Sequence, residues 1–142
     1  MLLGVPKMLD GSLLKILCDM GHGDELVIAD ANFPAERCGR RVVRSHAASG
    51  IEMLDAVLSV MPLDHLGAQP ASLMAVEPDD GCPEPAIWEE YAERIPGNNF
   101  NDRFRMLSRG EFYERSEKAY AVIQTGEEAL YANIILRKGV VR

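Results

Sequence analysis

His22 stands between two glycines in Met20-Gly21-His22-Gly23-Asp24-Glu25, and Asp30 follows the apolar run Leu26-Val27-Ile28-Ala29. An imidazole, which ordinarily titrates near ~6.5, can give or take a proton at neutral pH. Gly21 and Gly23 leave the backbone around it sterically free, because glycine accepts positive φ at little cost. The apolar run has the pattern of a strand covered on both faces. A carboxylate just past such a strand sits where open α/β sheets place their ligand crevice. Phe33-Pro34 then supplies an aromatic wall and a rigid stop. These are the parts of a general acid–base site with an orienting carboxylate. The same residues also suit a solvated loop histidine followed by a turn aspartate.

A second group lies near the end of the sequence, in Tyr131-Ala132-Asn133-Ile134-Ile135-Leu136. Side chains of a strand alternate between faces, so Tyr131 and Asn133 project to one side, ~7 Å apart. A phenol and an amide aimed the same way can bind several hydroxyls of a polyol. Tyrosine is also common in strands for packing alone, and Asn133 suits a bond to a neighbouring loop.

Alternating helical and strand patterns must position these groups. Residues 10–20 place Leu13, Leu14, Leu17 and Cys18 on one helical face, with Asp10 or Ser12 as cap and Gly21 as stop. The strand before Asp30 follows, then a polar loop at 35–41 and a short strand at 42–45. Residues 50–61 align Ile51, Leu54, Leu58 and Met61 on a helix that Pro62 ends. Residues 72–76 form a buried strand closed by the turn Glu77-Pro78-Asp79-Asp80-Gly81. A helix at 84–94, a strand at 103–107, a helix at 110–118 and strands at 119–124 and 131–137 complete the order. The expectation is one α/β domain over residues 1–142, three layers deep, with a mostly parallel sheet between helices.

Several function classes fall away on physical grounds. A formal charge of −7 opposes nucleic-acid binding, which needs a basic stripe to neutralise phosphates. No apolar stretch approaches a membrane span, and the opening Met1-Leu2-Leu3-Gly4-Val5-Pro6 is broken too early for a signal peptide. Cys18, Cys38 and Cys82 include no Cys-x-x-Cys pair and suit free thiols in a reducing compartment, so a cytoplasmic location is expected. Gly21-x-Gly23 precedes a strand instead of a helix and is flanked by Asp24 and Glu25, which would repel a phosphate. His22, His46 and His65 lack metal-ligand spacing, and no Gly-x-Ser-x-Gly elbow occurs. Arg37, Arg40, Arg41 and Arg44 suit a solvated face or a subunit contact better than an anion site. Glu77, Asp79 and Asp80 suit a solvated turn, with Glu77 near enough to a strand end to face a pocket.

Three stretches carry a resemblance. Met20-Gly21-His22-Gly23-Asp24-Glu25 with Asp30-Ala31-Asn32-Phe33-Pro34, Phe112-Tyr113-Glu114-Arg115-Ser116-Glu117-Lys118-Ala119, and Tyr131-Ala132-Asn133-Ile134-Ile135-Leu136-Arg137-Lys138-Gly139-Val140 resemble the L-fucose mutarotase and D-ribose pyranase family. The resemblance implies an α/β fold and a cofactor-free isomerase of the racemase/epimerase type, which interconverts cyclic forms of a free monosaccharide. It also implies a homo-oligomeric ring such as a decamer. By position His22 matches the proton donor and Asp30 the neighbouring carboxylate. Tyr131, Ala132 and Asn133 match the sugar-binding strand. Arg109 stands where fucose mutarotases carry arginine and ribose pyranases carry histidine, which favours the L-fucose branch. Residues 95–104, rich in Asn and Asp, depart from the family pattern.

Mutarotation needs a proton delivered to the ring oxygen and one removed from the anomeric hydroxyl, so that the ring opens and recloses. His22 would move the proton, while Asp30, Arg109, Tyr131 and Asn133 hold hydroxyls and Phe33 or Tyr113 stacks on the apolar face. No metal or redox cofactor is expected. The alternatives are pyranase activity on D-ribose and a non-catalytic sugar-binding component of a transport system. One tension remains, because an extended chain at ~3.3 Å per residue separates His22 from Asp30 by over ~20 Å. Either the 21–24 loop folds back over the strand end, or another subunit contributes.

Overall fold

The unbroken apolar run after Glu25 forms a strand whose residues Leu26, Val27, Ile28 and Ala29 are all fully buried in the computed structural model, which describes residues 1–142. In chain order the elements are α1 (Gly11–Asp19), β1 (Glu25–Ala29), α2 (Ala35–Cys38), β2 (Val42–Ser45), α3 (Gly50–Leu58) and β3 (Ala71–Met74). There follow α4 (Ile87–Arg94), α5 (Phe100–Arg103), β4 (Phe104–Leu107), α6 (Arg109–Lys118), β5 (Ala121–Thr125) and β6 (Ile134–Arg137). One six-stranded sheet has the order β2-β5-β1-β6-β3-β4. β6 runs antiparallel to β1 and β3, and every other pairing is parallel. The expected α/β class and mostly parallel sheet are therefore present. Helices α2 and α6 pack together, as do α3 and α4. Burial of every β1 and β5 side chain beyond Glu25 requires cover on both faces, which puts the sheet between helical layers.

Local chemistry sets most boundaries. Asp10 caps α1 by accepting from the Leu13 N–H at 3.0 Å. Lys138 donates to the Leu17 and Met20 carbonyls at 2.7 and 2.6 Å, a cation where the helix end is negative. Reciprocal capping boxes, Ser49 with Glu52 and Ser108 with Glu111, start α3 and α6. Gly50 is required where it stands, since a Cβ there would lie 2.3 Å from the Tyr91 hydroxyl.

Some expectations are corrected. The polar loop at 35–41 begins as the helical turn α2, which buries Ala35 and Cys38 and receives a 2.7 Å hydrogen bond from the Ser116 hydroxyl at the Cys38 carbonyl. Regular α3 ends at Leu58 instead of 61, and the face it buries is Met53, Leu54, Ala56 and Val57, because its cover comes from both α4 and β1. α4 starts only at Ile87, beyond Pro83 and Pro85. Within the Asn- and Asp-rich stretch 95–104, Phe100–Arg103 form the turn α5, capped by Asn99 and packed through Phe100 against Trp88 and Phe104. The last strand starts at Ile134 instead of 131, because Tyr131 adopts φ +59° and cannot belong to a strand.

Candidate active site

The parallel strands deliver several polar groups to their carboxyl ends. Asp30 follows β1, Asp80 lies on the turn after β3, and Arg109 opens α6 directly after β4 and its cap Ser108. Antiparallel β6 enters the sheet at the same end, so Tyr131 and Asn133 arrive beside them. A cavity of about 170 Å³ gathers Asp30, Asp80, Arg109, Tyr113, Tyr131 and Asn133, walled by Phe33, Met74 and Leu130. This is the crevice position expected of an open α/β sheet. A larger depression of about 460 Å³ around Gln69 and Asn101 holds none of these groups.

Asp30 is 5% exposed, and both of its carboxylate oxygens accept hydrogen bonds. Its Oδ1 accepts from the Asn32 N–H at 2.9 Å and its Oδ2 from Asn133 Nδ2 at 3.1 Å. Its own backbone N–H donates to Asn133 Oδ1 at 2.8 Å. Burial pushes the carboxyl above its ordinary pKa, and the hydrogen bonds from Asn32 and Asn133 oppose that rise.

Tyr131 and Asn133 share the pocket, though not by strand alternation. The left-handed backbone at Tyr131 is fixed from outside, with Trp88 Nε1 donating to the Tyr131 carbonyl and the Tyr91 hydroxyl to the Ala132 carbonyl, both at 2.9 Å. Burial pushes the Tyr91 phenol upward, so it remains a donor. Ala132 is 1% exposed and does not line the cavity. The Tyr131 hydroxyl donates to Asp80 Oδ2 and accepts from Arg109 Nη2 and the Glu77 N–H, each at 3.3 Å. That bond, with Glu77 Oε1 at 3.7 Å, pushes the Arg109 guanidinium further above its already high pKa. Phe33 meets Phe112 and Tyr113 edge-on at centroid distances of 5.9 and 5.6 Å, which fixes the aromatic wall.

His22 is not in this cavity. Gly23, at φ +85°, uses glycine's freedom and donates its N–H to the Lys138 carbonyl, which holds the loop at the far end of β6. The residues of β1, at ~3.3 Å each, separate that end from Asp30 by ~16 Å. The 21–24 loop does not fold back. His22 instead places Nε2 3.3 Å from Asp64 Oδ2, with half its side chain exposed. Asp64 also accepts from Arg137 Nε at 3.1 Å and from the Leu66 N–H at 3.0 Å. Those partners, the Leu66 amide foremost, hold its carboxyl below the ordinary range. Asp80 and Asp64 are the groups that sequence reasoning passed over. Asp80 has a signal, a carboxylate after a buried strand, whereas nothing in Leu63-Asp64-His65 foretells the pairing with His22. No group of three or more His, Cys, Asp or Glu is arranged to hold a metal ion.

Comparison with known proteins finds relatives over nearly the whole chain. Human fucose mutarotase is 44% identical, over 96% of this chain and 92% of the relative. L-fucose mutarotase of Actinobacillus pleuropneumoniae serotype 5b is 37% identical over 99% and 97%. The crystal structure of fucose mutarotase from Streptococcus pneumoniae in complex with L-fucose matches at a TM-score of 0.92 and 44% identity, covering 99% of this chain and all of that one. Bacillus subtilis RbsD complexed with D-ribose matches less closely, at 0.69 and 26% over 94% and 95%. The RbsD / FucU transport protein family matches residues 3–141, and this chain belongs to that family.

Proposed function

We infer that this chain is a mutarotase that interconverts the α and β anomers of L-fucose by general acid–base ring opening. One observation carries the reading. Asp30, Arg109, Tyr131 and Asn133 converge on one small cavity, in a fold that matches an L-fucose-bound fucose mutarotase at a TM-score of 0.92. Arg109 offers only donors and the Asp30 carboxylate only acceptors to this cavity, which suits hydroxyls that both give and accept protons. Phe33 and Tyr113 supply the apolar side.

The reaction requires a group that exchanges a proton with the ring oxygen while the anomeric O–H loses one, so that the C1–O5 bond breaks and re-forms on the other face of C1. His22 is the proposed group. Because it lies at the opposite end of the sheet from Asp30, the site is completed by His22 of a second copy, and the active form is a homo-oligomer, a ring such as a decamer. The free thiols Cys18, Cys38 and Cys82 support a cytoplasmic location, and no helix is long and apolar enough to cross a membrane. D-ribose pyranase activity is the weaker reading, given Arg109 and the lower similarity to the ribose-bound structure.

Saturation-transfer proton NMR tests the proposal. With trace protein and equilibrated L-fucose, irradiating one anomeric proton should diminish the other in a protein-dependent manner. Binding without exchange would instead identify a sugar-binding component, because a trace binder cannot accelerate an equilibration.

A further inference from the structure

The Tyr131 phenol carries one proton and accepts through its oxygen. The proton goes to Asp80 Oδ2, and the oxygen accepts from Arg109 Nη2 and the Glu77 N–H. The Tyr131 hydroxyl is therefore already committed within the protein. Of the two carboxylates that line the cavity, Asp30 already has a protein donor on each oxygen, the Asn32 amide on Oδ1 and Asn133 on Oδ2. Asp80 differs. Its backbone N–H donates to the Glu77 carbonyl at 3.1 Å and its Oδ2 takes the phenol proton, but its Oδ1 accepts from nothing in the chain.

The surrounding backbone holds that carboxylate in place. The turn after β3 is pinned at Glu77 and Asp80 by the same phenol, and Gly81 follows at φ +64°, a left-handed conformation that suits glycine. Tyr131 is itself fixed in a left-handed conformation by Trp88, with Tyr91 holding the next carbonyl. Asp80 is thus a positioned group with unused accepting capacity, held by the same phenol oxygen that accepts from Arg109.

We propose that Asp80, on the turn after β3, is a sugar-binding carboxylate that accepts a hydroxyl proton of the monosaccharide through Oδ1 while Oδ2 holds the Tyr131 phenol. The proposal rests on the mutarotase reading for its substrate class, and it gives the acidic turn a binding duty in place of solvation.

The test compares Asp80→Asn and Asp80→Ala with the wild-type protein, each also in a Tyr131→Phe background, all full-length. L-fucose is titrated calorimetrically and anomer exchange is followed by NMR across sugar concentrations. A hydrogen bond to a charged group supports an expected loss of roughly 10- to 100-fold in L-fucose affinity and a matching rise in KM. The loss should fall mainly on KM rather than kcat, and should persist in the Tyr131→Phe background. If Asp80 only steadies the phenol, its replacement has no further effect once the phenol is gone, and the proposal fails. Unchanged affinity in both single variants overturns it too. Wild-type protein that binds L-fucose without exchanging it removes the mutarotase reading but leaves the Asp80 affinity test intact; protein that does not bind L-fucose overturns both.

Discussion

The Asp30 backbone N–H donates to Asn133 Oδ1 at 2.8 Å while Asn133 Nδ2 donates to Asp30 Oδ2 at 3.1 Å, a closed two-bond ring between residues 103 positions apart in the chain. The ring fastens the end of β1 to the entry of β6 and leaves the carboxylate buried without a full charge partner. Asn133→Ala strands a buried amide and a buried carboxylate oxygen together. Each unsatisfied group costs ~1–3 kcal/mol, so the variant should unfold at clearly lower denaturant and lose L-fucose affinity. A midpoint equal to that of the wild type would mean that the ring does not hold the strand ends.

His22 and Asp30 lie at opposite ends of the sheet, so a shared site requires two copies. His22→Gln should lower anomer exchange by about 10²–10⁴-fold, the usual loss for a positioned acid or base, with L-fucose binding weakened only modestly. Asp30→Asn should also be inactive. Co-expressed, the two variants should recover part of the exchange, because some interfaces then pair an intact His22 with an intact Asp30. Light scattering should show that each variant alone keeps the wild-type assembly. A monomer at micromolar concentration, or no recovery on co-expression, would defeat the two-copy site.

Arg109 opens α6 behind the Ser108 cap and reaches the Tyr131 hydroxyl at 3.3 Å. A guanidinium is a rigid fork of donors, whereas histidine is shorter and can also accept. Arg109→His should therefore reduce exchange of L-fucose more than that of D-ribose in the NMR assay. An equal loss for both sugars would mean that Arg109 braces the Tyr131 hydroxyl and does not choose the substrate.

Much of the fold follows from local pattern. The apolar run before Asp30 is a central strand, and the Ser-x-x-Glu motif at Ser108 starts the helix that carries Arg109. Alternation placed Tyr131 and Asn133 on one side, and they do line one cavity. The reason differs, however, since hydrogen bonds from Trp88 and Tyr91, residues remote in sequence, hold Tyr131 and Ala132 outside the strand. α2 and α5 are too short to show a period and exist through packing, which pattern cannot reveal. Asp80 carries only the general signal of a carboxylate after a buried strand, and the hydrogen bond from the Tyr131 phenol is what ties it to the cavity. The separation of His22 from Asp30 depends on whether a glycine loop folds back, and the bond from Gly23 to Lys138 decides that.

Asp64 accepts from the Leu66 amide at 3.0 Å and from Arg137 at 3.1 Å, and faces His22 at 3.3 Å. These contacts hold its carboxyl below the ordinary aspartate value of ~3.9. A carboxyl with a lower pKa folded than unfolded binds fewer protons in the native state between the two values. Its stabilising contribution is complete above the unfolded value and disappears as pH falls through the folded one. Asp64→Asn should therefore be less stable than the wild type at pH 5 to 6, and the gap between their thermal midpoints should close as the pH falls below ~4. Circular-dichroism melts at half-unit steps from pH 6 to 2.5 would follow that closure. Midpoint curves that run parallel across the range would mean that Asp64 titrates alike folded and unfolded, and that the cluster with Arg137 and His22 contributes no acid-sensitive stability.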